Sequence, residues 1–179
     1  ELVVSDATIA NADSEAEKIS LLDEKVSRSA TMMMNIHARY IFEKHFHEER
    51  QKGIVSAKRL SELMLEAQKE AYEDALDTYH PMFWAAKLHF YSTGVSFYNF
   101  PYTFGYFFSL GIYARALESN ESFEDDYIDL LRDTASMSTE DLAKKHLQVD
   151  LRKSDFWQEA IDRTHEDIDE FLALTEKYA

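Results

Sequence analysis

The chain has 179 residues, with 19 Lys and Arg against 34 Asp and Glu, a formal charge of −15, and no cysteine. That charge opposes binding to phosphate backbones or anionic lipid, and the missing cysteine removes disulfide frameworks and thiolate zinc sites. A hydrophobic share of 45% excludes a disordered chain, and the length is enough for one domain to bury roughly 70% of its extended-chain surface.

Breakers are rare, and apolar spacing is helical along nearly the whole length. Residues 1–10 read as a short helix, or the tail of a longer one, broken by Asn11-Ala12-Asp13. Ser14-x-x-Glu17 forms a capping box for a long helix to about Lys52. Ile19, Leu22, Val26, Ala30, Met33, Ile36 and Tyr40 make its inward stripe, and Gly53 is its stop. Met32-Met33-Met34 reads as adaptable core. Ser56 opens a helix to about Leu76, with Leu60, Leu63, Met64, Ala67 and Ala71 inward. His80 precedes Pro81 and is pushed out of helical geometry, so a short helix is expected from Pro81 to Leu88, then a turn at Ser92-Thr93-Gly94.

An aromatic helix follows within Phe97 to Leu117, with Pro101 confined to its first turn. Phenylalanines occupy much of its circumference, which predicts burial on most sides. Ser122, Ser138 and Ser154 are read as caps of helices at about 123–135, 139–147 and 155–178. Phe156, Trp157, Ala160, Ile161, Ile168, Phe171 and Leu172 face inward on the last. No period-two strand pattern, repeat or linker is visible, so one all-α domain over 1–179 is expected. The most apolar stretch, Thr103 to Leu117, is interrupted by Ser109 and Arg115 and falls short of the ~20 residues of a membrane span. No basic start followed by an apolar run marks a secretory leader. The expectation is a cytoplasmic chain that binds neither membrane nor nucleic acid.

Seven histidines raise the question of a metal. His45 and His47 are two apart and point to different sides of a helix, so they cannot grip one ion together. H-E-x-x-H, which sets two histidines on one helix face, does not occur. A di-metal bundle needs two Glu-x-x-His pairs, and only Asp77-x-x-His80 and Asp162-x-x-His165 come near it. Glu62, Glu66, Glu70 and Glu73, with Lys58 and Lys69, read as a solvated face.

The aromatic segment carries more. Tyr98, Tyr102 and Tyr106 are four apart and line one face if helical. A row of phenols beside a cleft can donate hydrogen bonds to a substrate oxygen, and Gly105 would admit a ligand or backbone at close range. The same spacing also suits core tyrosines whose hydroxyls reach solvent or a carbonyl. Both readings stand on residue types alone.

Several stretches resemble one family: Leu2-Val3-Val4-Ser5-Asp6-Ala7, Asn35-Ile36-His37-Ala38-Arg39-Tyr40, Glu66 to Tyr72, and above all Lys87-Leu88-His89-Phe90-Tyr91 followed by Phe97 to Tyr106. From Glu1 to about Phe171 the chain is similar to the C-terminal portion of the catalytic domain of oligoendopeptidase F. That is a bacterial zinc metallopeptidase of the thimet-oligopeptidase type. The resemblance implies a multi-helix, zincin-like fold and cleavage of oligopeptides in a deep cleft. It also implies Zn2+ held by H-E-x-x-H and a later glutamate. His89, Tyr98 and Tyr102 match the family's carbonyl- and oxyanion-binding residues, and Tyr91 and Tyr106 match substrate-binding positions. The zinc ligands would lie upstream, the later glutamate about two helical turns before Glu1. The expectation is a fragment, inactive alone, whose partners are oligopeptides and the N-terminal part of the same enzyme. The alternative is a non-catalytic helical module that binds through an aromatic groove.

Overall fold

The computed structural model describes residues 2–119 and 123–178. Their regular elements are all helical, with no strand among the described residues. The elements are α1 (Leu2–Ala10), α2 (Glu15–Ala30), a π turn (Thr31–Asn35), α3 (Ile36–Arg50), α4 (Ala57–Ala71), 3-10 turns at Phe83–Ala86 and Leu88–Tyr91, α5 (Phe100–Glu118), α6 (Glu124–Asp133), α7 (Thr139–His146), α8 (Asp155–Thr175) and a 3-10 turn at Glu176–Tyr178. No helix among the described residues is long and apolar enough to cross a membrane.

Caps explain several boundaries. The Glu17 amide donates to Ser14 Oγ at 3.2 Å, and the Glu17 carboxylate reaches back to the Asp13 amide at 2.8 Å. The expected box is thus present, with its return bond one residue earlier. Ser56 accepts from the Arg59 amide, and Ser138 from the Asp141 amide, each at 3.2 Å. Ser154 stands at the start of α8, but its side chain makes no capping bond. Ser122, expected to cap α6, lies outside the described residues, as does Glu1. α3 ends at Arg50 with Gln51 as its C-cap, so Gly53, at φ +154° where side chains are rarely tolerated, lies one position beyond the stop expected for it.

Other boundaries depart from expectation. α4 stops at Ala71, short of Leu76. Glu73 and Asp74 turn left-handed at φ 51° and 56°, and the Asp74 amide closes on the Lys69 carbonyl at 2.9 Å. The predicted helix over 81–88 is instead two separate 3-10 turns. Thr31–Asn35 widens into a π turn, with the Ile36 amide bonded to the Thr31 carbonyl. Beyond the turn Ile36 is buried as expected, but Tyr40 is exposed while Ile41 and Phe42 are buried. The methionine triplet lies in this turn, none of it is buried, and Met34 is exposed, so it is not core.

Contacts divide the chain into two compact units, Ser27–Gly105 and Glu1–Val26 with Tyr106–Ala179. In the first, α3 packs on α4 through Ile41, Phe42, Leu63, Met64 and Ala67. Phe46, Leu60, Phe83, Trp84 and Phe90 close over that core. In the second, Leu130, Leu142, Ala143, Leu147, Leu151 and Phe156 form the core, with Phe108, Ile112 and Trp157 against it. Leu172, expected inward on α8, is exposed.

α5 is not buried on most sides as its composition suggested. Only Leu110 and Gly111 are buried, and Phe100, Tyr102 and Phe104 are exposed. A Cβ at Gly105 would meet nothing within 4 Å, whereas at Gly111 it would come within 2.4 Å of Phe156 Cζ, so the close packing approach falls at Gly111.

Candidate functional site

The site lies in the unit Ser27–Gly105 and is built from three segments. α3 supplies Arg39, the 3-10 turn Leu88–Tyr91 supplies His89, and the entry to α5 supplies Tyr98, Asn99 and Tyr102.

Each segment is pinned by buried polar groups. Gln68, buried on α4, donates to the His80 carbonyl at 3.1 Å and accepts from the His80 amide at 3.3 Å. Trp84 Nε1 donates to Ser61 Oγ at 3.2 Å. These bonds tie the two 3-10 turns, and hence His89, to α4. Phe90 sets its ring 4.9 Å from that of Phe42 in the core. Thr103 Oγ1 donates to the Met32 carbonyl in the π turn at 2.6 Å, which anchors the first turn of α5. The Phe97 amide donates to the buried Glu43 carboxylate at 2.6 Å and holds Phe97 at φ 53°. That left-handed residue swings the chain so that Tyr98 reaches the helix from outside it.

Tyr98 therefore does not sit on a helix face with Tyr102, as the spacing predicted, since α5 starts at Phe100. The two hydroxyls nevertheless meet at 2.7 Å. Both residues stay exposed, at 47% and 45%, so the pair is not sealed in hydrocarbon. Two phenols sharing one hydrogen bond leave one O–H proton for an outside acceptor. The phenol that accepts its neighbour's proton is the stronger donor. The hydrogen bond shared with Tyr98 raises the pKa of Tyr102, with burial adding to it, so the Tyr102 phenol is held protonated.

His89 stacks on Tyr98, ring centroids 5.6 Å apart at 27°, with Phe90 at 4.3 Å on the edge. Its Nε2 is 2.6 Å from Asn99 Nδ2. Asn99 Oδ1 in turn accepts from Arg39 Nη1 at 3.2 Å. Arg39 Nη2 donates to Asn35 Oδ1 at 2.6 Å, and the guanidinium lies 5.2 Å over the Phe83 ring. Lys87 Nζ stands 4.4 Å from the same ring. Burial, then the cations of Arg39 and Lys87, push the His89 pKa down. The ring is thereby kept neutral, a hydrogen-bonding group rather than a charge.

His89, Tyr98 and Tyr102 are thus brought together. Tyr91 is exposed, and its hydroxyl donates to the Ala85 carbonyl at 3.3 Å, within the 3-10 turns. Tyr106 lies one turn beyond Tyr102 in α5, half-buried, with its ring 6.3 Å from that of Phe107, and belongs to the other unit. Sequence reasoning singled out neither Asn99 nor Arg39 for the site. The available signal was one amide among aromatic residues, because a buried amide needs partners.

The described residues bring no three His, Asp or Glu side chains together as a metal site. They do not fit the zinc ligand set that the resemblance implies, and no step below runs through a metal on this chain. Comparison of the chain with protein-family models, curated protein sequences and solved structures gives no match.

Proposed function

We propose that the cluster of His89, Tyr98 and Tyr102 grips the carbonyl oxygen of an oligopeptide, and that the chain is the carbonyl-binding C-terminal part of a zinc-dependent oligoendopeptidase. The observation that carries this reading is the 2.7 Å contact between two exposed phenol hydroxyls, with a neutral imidazole stacked beside them. Together with the resemblance of the Lys87–Tyr91 and Phe97–Tyr106 stretches, it supports a role for all three residues as donors. Tyr91 takes an outlying substrate-binding position in this reading.

The chemistry needs such donors. Attack of water on a peptide carbonyl builds negative charge on oxygen. Fixed donors aimed at that oxygen contribute about 2–4 kcal/mol each to the transition state. The activated water and its zinc would come from the other part of the enzyme. This chain by itself is proposed to hydrolyse no peptide.

The test is made on the enzyme read from the gene's full reading frame, with an internally quenched oligopeptide. Tyr98→Phe and His89→Ala are expected to lower turnover by about 10²-fold or more with zinc content unchanged. Normal turnover in both variants, or a reading frame without H-E-x-x-H, defeats the proposal.

A further inference from the structure

His89, Asn99 and Arg39 belong to three different segments, yet their polar atoms form one directed chain. A guanidinium carries only donors. The Asn99 atom that faces Arg39 at 3.2 Å must accept, so it is Oδ1. The other terminal atom of the amide, Nδ2, then faces His89 Nε2 at 2.6 Å. An amide nitrogen only donates, so Nε2 must offer its lone pair. In a neutral imidazole the single proton is then on Nδ1. A flipped amide would set donor against donor at Arg39.

Little in this chain can move. Asn99 is 3% exposed, so it has no water to turn to. Arg39 is fixed by Asn35 and by the face of Phe83. Stacking on Tyr98 and the edge of Phe90 fix the plane of the imidazole. The charged groups that face the ring are Arg39 and Lys87, both cations, and both oppose a second proton on it.

We infer that Asn99, oriented by Arg39, is a positioning residue that holds His89 as the Nδ1–H tautomer, with Nδ1 as the nitrogen that donates to the peptide carbonyl. The second clause rests on the function proposed above, and the first does not. Nδ1 makes no hydrogen bond among the described residues, so its proton is the one left to give. The relay thus decides which edge of the ring can meet a ligand.

The tautomer is read directly in the 15N-labelled chain by long-range proton–nitrogen correlation of its imidazoles at about pH 8, where neutral histidine dominates. His89 is assigned by the signals lost in His89→Gln. The expected spectrum has a protonated-type Nδ1 and a bare-type Nε2. The reverse pattern, or one exchange-averaged shift for both nitrogens, overturns the inference. Asn99→Asp keeps the side chain's size and still accepts from Arg39, but offers His89 only acceptors. Nε2 is then expected to gain the proton, and an unchanged Nε2 shift overturns the role of Asn99. The wild-type spectrum decides the first point even if that variant fails to fold. No readout involves substrate or metal, so a failed peptidase reading leaves the tautomer result standing. A wrong tautomer leaves the Tyr98–Tyr102 pair intact as donors.

Discussion

Glu43 and Phe97 are joined across 54 residues by a 2.6 Å hydrogen bond from a left-handed backbone amide to a buried carboxylate. A phenylalanine at φ 53° is an unfavourable conformer, of order 1–3 kcal/mol, and must be held by its surroundings. Here the holders are this bond and the ring contacts of Phe97 with Tyr40 and His47. Glu43→Ala is expected to destabilise the fold by about 1.5–3 kcal/mol, the range for a hydrogen bond to a charged group. It should also separate Tyr98 from Tyr102, because the turn at Phe97 aims Tyr98. Urea unfolding measures the first effect, and loss of the upward shift in the Tyr102 phenol titration measures the second. A destabilised variant with an unchanged Tyr102 titration would limit Glu43 to a stabilising role.

The two glycines of α5 should respond in opposite directions to alanine. At Gly111 the added methyl would overlap the Phe156 ring, which is buried in the core and has little room to retreat. Gly111→Ala is expected to destabilise by about 1–3 kcal/mol through overpacking. At Gly105 the methyl meets open space in mid-helix. Gly105→Ala is expected to be neutral or to stabilise by up to about 1 kcal/mol, the difference in helix propensity. Thermal unfolding of the two variants side by side checks the contrast.

The all-helical architecture was legible because its signals are local. Capping serines at 14, 56 and 138, the proline at 101 and the glycine at 53 act within one turn of their own positions. The departures come from longer range or from conformations without a residue signature. Nothing in Thr31–Asn35 announces a π turn, and further along α3 Ile41 is buried in place of Tyr40. Glu73 and Asp74 turn left-handed with no glycine to flag it. At the site, the spacing of Tyr98 and Tyr102 did predict proximity, although a loop and not a helix face delivers the first hydroxyl. Asn99 was hidden because its meaning depends on Arg39, 60 residues earlier in the chain.

Lys25 is nearly buried between two carboxylates, 2.5 Å from Asp6 and 2.7 Å from Asp167. Arg163 and Tyr113 also donate to Asp6. Burial alone would push the Asp6 carboxyl up, but the hydrogen bonds from Lys25, Arg163 and Tyr113 together hold it down. At Asp167 burial dominates and raises the pKa despite Lys25. Lys25→Met strands Asp167 without its cation and is expected to cost about 3–5 kcal/mol. Adding Asp167→Leu removes the stranded charge and should recover part of that loss. A double-mutant cycle in urea measures the coupling, and simple additivity of the two changes would contradict a buried pair.

His89 makes stability depend on pH with a definite sign. Burial, then the cations of Arg39 and Lys87, hold its folded pKa below the ordinary histidine value of 6.5. Unfolding exposes the ring and restores that value. Between the two, the unfolded chain binds a proton that the folded chain does not. Stability therefore falls as pH drops below 6.5, and the loss is complete once pH passes the folded pKa. Above 6.5 both states are neutral, and His89 adds no slope. Unfolding curves from about pH 8 to about pH 5 should show the wild type losing more stability than His89→Gln, which cannot titrate there. Lys87→Gln removes one of the two facing cations and should raise the His89 pKa in an imidazole titration. Equal pH slopes for wild type and His89→Gln would mean that the folded ring takes up its proton as readily as the unfolded one, and that the cluster does not exclude the imidazolium form.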